Sequence, residues 1–116
     1  MGEKILKVEN EWSSRKNKRL IGAILALETR NEAERFLRDI MTEKEISEFS
    51  NRLEAASLLL QDLQYNTIIE NTGLSSATIA RISKWLKGPL GGYRLILSRL
   101  NHHHNSNPLR KGLSLS

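Results

Sequence analysis

The chain has 116 residues, with 18 Lys and Arg against 13 Asp and Glu, a net charge of +5 and no cysteine. A single domain of this size buries a modest core that dimerisation would reinforce, disulfides and thiolate metal sites are excluded, and no apolar run approaches a membrane span or a signal peptide. With two prolines, 5% aromatic residues and leucine and isoleucine recurring at helical spacing, the expected class is all-α, about six helices, in a cytoplasmic protein.

Residues 1–17 read as a flexible basic arm. Met1 to Glu11 alternates charge with isolated apolar residues and has no period, and Arg15, Lys16, Lys18 and Arg19 form a dense basic run after Trp12. Such a run lies on a solvated face or meets flanking DNA phosphates. The helical domain is expected over 18–101. Between Lys18 and Thr29, Leu20, Ile21, Ile24, Leu25 and Leu27 cover most of a helix circumference, so this helix needs partners on more than one side. In so short a chain a second subunit is one. Asn31 offers the next N-cap, followed by Ala33, Phe36, Leu37 and Ile40 on one face.

Thr42 and Glu45 have the spacing of a capping box, in which hydroxyl and carboxylate reciprocally satisfy free amides. The helix they open is expected to run to about Asp62, with Ile46, Phe49, Leu53, Ala56 and Leu60 along one face and Leu58, Leu59 and Leu63 widening it.

Residues 65–87 carry the most specific pattern, YNTIIENTGLSSATIARISKWLK. Ile68, Ile69 and Thr72 make an apolar strip on a short helix, and Gly73 can take the left-handed conformation that turns the chain within about three residues. Ser75 or Ser76 can cap a second helix. After Gly73, Leu74, Ile79, Ile82 and Leu86 can face back to the strip, while Ser76, Ala77, Ala80, Arg81 and Lys84 face away. Two short helices joined this way make a helix-turn-helix. The outward face suits a DNA major groove, because small residues let the backbone approach the base edges and cations meet phosphates. An ordinary helical hairpin has the same inward pattern.

Lys87, Gly88 and Pro89 are a stop signal, and Leu90 to Gly92 form a pliant connection. Tyr93, Ile96, Leu97 and Leu100 then define a last amphipathic helix, with Arg94 and Arg99 off its face. Residues 102–116 have loop composition and are expected to be a disordered tail. His102 to His104 are adjacent rather than stacked and lack neighbouring carboxylates, so no metal site is expected.

Charge is uneven along the chain. Residues 1–40, 41–62 and 63–116 carry balances of +2, −3 and +6, and Glu70 is the only anion of the last section. Positive charge therefore concentrates on and after the helix-turn-helix, where release of condensed counterions would supply sequence-independent DNA affinity.

The stretches AILALETRNEAERFLRDIMTEKEI, TGLSSATIARI and the late Gly91-Gly92-Tyr93, with the Arg52 helix between them, resemble the Trp repressor-like superfamily, in particular its YerC/YecD group of small bacterial proteins. The resemblance spans about Leu20 to Leu100. It implies an intertwined homodimer with a shared core and two projecting recognition helices, and hence a palindromic operator with half-sites about 34 Å apart. In Trp repressor two arginines and a threonine segment clasp tryptophan between subunits, and the positions that look equivalent here are Arg52, Arg81 and Thr42. A glycine follows the second arginine there and leaves room for the indole. Here Ile82 stands in its place, so the pocket is expected to be vestigial and tryptophan not to bind. The chain also departs from the group at Asp62, where a glycine is common, and at Gln64, while Ile69 stands where the general helix-turn-helix favours a small residue and the unusual Trp85 is expected to extend the core.

The expected function is a sequence-specific DNA-binding transcriptional regulator, most simply a repressor, acting as a homodimer on double-stranded DNA in the bacterial nucleoid. No small-molecule corepressor is identified. Ser75, Ser76, Ala77, Thr78 and Ala80 would lie nearest the bases, Arg81 would read a guanine edge or hold a phosphate, and Lys84 and Lys87 would hold phosphates. Tyr65, Asn66 and Thr67 would meet the backbone. The competing class is a protein-interaction module that keeps the fold without specific DNA binding. No acid-base pair, nucleophile constellation or phosphate loop points to an enzyme or a cofactor.

Overall fold

The computed structural model describes residues 11–106, which contain six helices and no strand. Residues 1–10, most of the expected arm, and 107–116, most of the expected tail, lie outside the described residues. The chain divides into two compact units, one up to Ile46 and one from Ser47.

In the first unit, α1 is Arg15–Ala26 and α2 is Arg30–Ile40. Ser14 caps α1 by accepting from the Asn17 amide at 3.1 Å. The helix therefore starts before the expected boundary at 18, and Arg15 and Lys16 stand in its first turn rather than in an arm. The N-cap of α2 is Thr29, not Asn31. Thr29 accepts from the Glu32 amide at 3.1 Å, and the Glu32 carboxylate reaches back to the Glu28 amide at 2.9 Å. That pairing satisfies two free amides at once, whereas Glu34, the carboxylate three residues after Asn31, is paired with Arg30 at 2.8 Å. The same logic operates at Thr42 and Glu45, as expected. The Glu45 amide donates to the Thr42 hydroxyl at 3.1 Å, and the Thr42 amide donates to the Glu45 carboxylate at 2.9 Å.

No residue of α1 or α2 is buried. Leu20, Ile21, Ile24, Leu25, Leu37 and Ile40 are all exposed, Leu25 to 78%. A helix pair this apolar and this wet has not satisfied its own hydrophobic pattern within one chain.

α3, Glu43–Leu60, enters the second unit, where α4 (Tyr65–Thr72), α5 (Ser76–Lys87) and α6 (Gly92–Ser106) complete the fold. Its core is Ala55, Ala56, Ile68, Ile79, Ile82, Leu86 and Leu97, flanked by Leu53, Leu58, Leu59, Ile69, Leu74 and Tyr93. The expected stripe of α3 holds only at its middle. Phe49 and Leu60 are each 49% exposed, whereas Ala55 and Ala56 are fully buried. Trp85 is likewise 48% exposed and does not extend the core. It lies between buried Ile82 and Leu86 in sequence but a quarter-turn off their line. Ile69 is accommodated half-buried at the core's edge.

α3 ends in a left-handed turn at Asp62, φ 63°. The Asp62 amide donates to the Leu59 carbonyl at 3.0 Å and the Leu63 amide to the Leu58 carbonyl at 3.2 Å, a paired closure that normally favours glycine at the turning residue. Aspartate is among the few residues that adopt this conformation at modest cost, so the departure from the group's glycine leaves the turn intact. At the other end, α6 continues to Ser106, so the first five residues of the expected tail are helical.

Candidate nucleic-acid interface

The helix-turn-helix is built by a short run of local bonds. Thr72, 7% exposed, donates its hydroxyl to the Ile68 carbonyl at 2.7 Å and accepts from the Leu74 amide at 3.2 Å. Gly73, φ 74°, closes α4 by donating to the Ile69 carbonyl at 2.7 Å. Ser75 then caps α5, accepting from the Thr78 amide at 3.1 Å. Ile79, Ile82 and Leu86 are anchored in the core on one side of α5. The opposite side therefore projects Ser76, Ala77, Ala80, Arg81, Lys84 and Lys87, all of them exposed.

The expected base-facing residues are not equivalent. Thr78 is half-buried, and its amide and hydroxyl are both engaged by Ser75, whose hydroxyl donates to Thr78 Oγ1 at 3.0 Å. These two residues shape the helix start. The unencumbered surface is Ser76, Ala77 and Ala80, followed by the three cations. Tyr65, Asn66 and Thr67 are exposed at the start of α4. Gln64 caps that end without any side-chain hydrogen bond, so no side chain closes off its free amides.

The residues of the expected ligand pocket are dispersed in role. Thr42 belongs to the first unit, where it serves as the cap described above. Arg52, Arg81 and Ile82 belong to the second. Arg52 bonds the Glu48 carboxylate at 2.8 Å and sits 5.6 Å over the Phe49 ring, while its Nε is buried without a partner. Arg81 is exposed on α5, and Ile82 is fully buried in the core. Burial pushes the Tyr93 phenol above its ordinary pKa, and the positive charge of Arg52 opposes that rise.

One residue of this region escaped the sequence reading. Arg94, at the start of α6, donates from Nη1 to the Leu86 carbonyl and from Nη2 to the Gly88 carbonyl at 3.3 Å. It thus closes the C-terminal end of α5. Gly91 has φ 67°, and a Cβ there would lie 2.9 Å from Arg94 Nη2. The sequence placed Arg94 only off the apolar face of the last helix, after a pliant connection at Leu90 to Gly92.

The Trp repressor protein family matches residues 15–101. The uncharacterized protein YerC of Bacillus subtilis strain 168 is 36% identical over 81 residues, 70% of this chain and 78% of that protein. A TrpR-like protein from Eubacterium eligens superposes with a TM-score of 0.74 at 36% identity, over 79% of this chain and 95% of its own. A solved chain from Staphylococcus aureus superposes with a TM-score of 0.73 at 35% identity, over 80% of this chain and 93% of its own. The six-helix order, the helix-turn-helix and these matches carry one conclusion: the chain belongs to the Trp repressor family, in its YerC group, and has the fold of a DNA-binding regulator.

Proposed function

We propose that the protein is a sequence-specific transcriptional regulator, acting as a repressor, that binds a palindromic operator as a homodimer in the bacterial cytoplasm without tryptophan. The observation that carries this reading is the two-sidedness of α5. Ile79, Ile82 and Leu86 lock one face, and the free face runs from small residues at its start to Arg81, Lys84 and Lys87. A helix presented this way can place its first turn against base edges while its later cations reach phosphates. The open start of α4 supports a backbone contact at Tyr65, Asn66 and Thr67.

Dimerisation is supported by the first unit, where Leu20, Ile21, Ile24, Leu25, Leu37 and Ile40 stay exposed in one chain. The same surface favours the second reading, a protein-interaction module. A gel-shift on genomic fragments, titrated with salt, separates the two. Retardation that weakens steeply with salt supports the regulator, and no retardation at low salt rejects it. Within the regulator reading, Arg81→Ala weakens binding by an amount that depends on the operator sequence. Lys87→Ala weakens all duplexes alike and flattens the salt slope by about one. Independence from tryptophan follows from Ile82, fully buried in the position where a tryptophan-binding relative needs space.

A further inference from the structure

Arg94 lies outside the surface assigned to DNA and makes a paired contact that simple phosphate binding does not require. The last carbonyls of any helix lack intrahelical donors. In α5 they lie beside Lys84 and Lys87, the residues meant to hold phosphates. The Gly88 amide takes one of them, the Trp85 carbonyl, at 3.1 Å. Arg94 takes the next with Nη1 on Leu86 and reaches past the helix end with Nη2 on Gly88. Only a planar guanidinium offers two such donors in a fixed fork, and its charge complements the negative end of the helix dipole.

The connecting loop is built around this fork. Gly91 adopts a left-handed conformation, and a side chain there would press on Nη2 at 2.9 Å. The Leu95 amide donates to the Gly91 carbonyl at 2.9 Å, so the loop that clears the guanidinium also starts α6. Leu86 is anchored in the core at 6% exposure, as is Leu97 of α6 at 5%. Arg94 therefore ties the end of the recognition helix to a helix that is itself held by the core.

We propose that Arg94 is a positioning residue for DNA recognition: its guanidinium clamps the C-terminal turn of α5 to α6 and so fixes the angle at which α5 presents Arg81, Lys84 and Lys87. The proposal rests on the regulator reading for its DNA half, whereas the clamp can be tested without DNA. A residue that positions and one that touches phosphate leave different traces. Loss of a phosphate contact weakens all sequences alike and removes about one unit of salt slope. Loss of a clamp leaves the slope intact and weakens the binding that depends on register.

The test compares the full chain with Arg94→Gln and Arg94→Lys on two probes, a duplex selected from a random pool and a scrambled duplex of the same length, across a salt series. Hydrogen exchange is read in parallel at the amides of Leu86 to Gly88, with Ile79 and Ile82 as internal references. Arg94→Gln is expected to lose about tenfold or more on the selected duplex and much less on the scrambled one, at unchanged slope. Exchange should quicken at Leu86 to Gly88 and stay unchanged at Ile79 and Ile82. Arg94→Lys should recover only part of both effects, because an ammonium is a single point of charge; should the glutamine variant not fold, the lysine variant carries the same comparison. A flatter salt slope, full affinity in Arg94→Gln, or unchanged exchange at Leu86 to Gly88 would each overturn the proposal. If the wild-type chain retards no duplex, the regulator reading falls and the DNA half of this proposal with it, while the exchange comparison still decides whether the clamp exists.

Discussion

Gly73→Ala is the sharpest test of how the helix-turn-helix is held. Two costs could operate, steric and conformational, and the structure separates them. A Cβ at Gly73 would meet nothing within 4 Å, so crowding contributes nothing. The backbone sits at φ 74°, ψ 3°, where an L-residue costs roughly 1–2 kcal/mol. Alanine recovers part of this because it gives up less chain entropy on folding than glycine, by about 0.5–1 kcal/mol. The net expectation is a loss of about 1 kcal/mol. The chain cannot escape by flipping Gly73 to a right-handed conformation. That would break its bond to Ile69, disturb the Leu74 bond to Thr72 and swing Ile79, Ile82 and Leu86 off the core. Asp62→Gly supplies the opposite sign: a left-handed non-glycine residue is relieved, so stability holds or rises by up to about 1 kcal/mol. Both variants are measured by urea denaturation at one protein concentration, comparing midpoints at constant m. If Gly73→Ala proves as stable as wild type, the turn is not held in the left-handed conformation, and the account of the helix-turn-helix fails at its first step.

Ile82→Ala should cost about 2–5 kcal/mol in the same assay, as expected for truncating a fully buried isoleucine in a packed cluster. Isothermal titration of the wild-type chain with tryptophan should show no binding, and micromolar affinity would refute the role given to Ile82. The raised Tyr93 pKa has a definite sign: above the ordinary value of 10.0 the unfolded chain releases its phenol proton before the folded one does. Stability from this group is therefore intact below that pH and falls as pH climbs towards the folded pKa. The alkaline decline measured by chemical denaturation should be shallower in Tyr93→Phe, and identical slopes would show that the phenol is not desolvated.

Much of the helix-turn-helix and of the helix caps was legible because their determinants are local. The Thr42–Glu45 box, the Gly73 turn and the Ser75 cap each join residues within four positions of one another, and residue type with spacing is enough to specify them. The family resemblance reinforced those elements and pointed to Ile82. Thr29 and Glu32 have the same local logic and could have been read in place of Asn31. Other errors had a different origin. Phe49, Leu60 and Trp85 are apolar at plausible core spacings, and nothing in their own helices says that they stay half-exposed while Ala56, expected on the stripe, and Ala55, outside it, fill the centre.

What the sequence by itself determined was the succession of helices, the position of the turn and the charge that follows it, since these depend on bonds and periodicities within a few residues. What only the tertiary structure decided was which apolar residues meet and where the end of α5 is fastened. Arg94 finds the carbonyl of Leu86 eight positions back because the loop through Gly91 folds one helix end against the next start. Such a contact depends on the geometry of the whole connection, and no pattern of neighbouring residues encodes it.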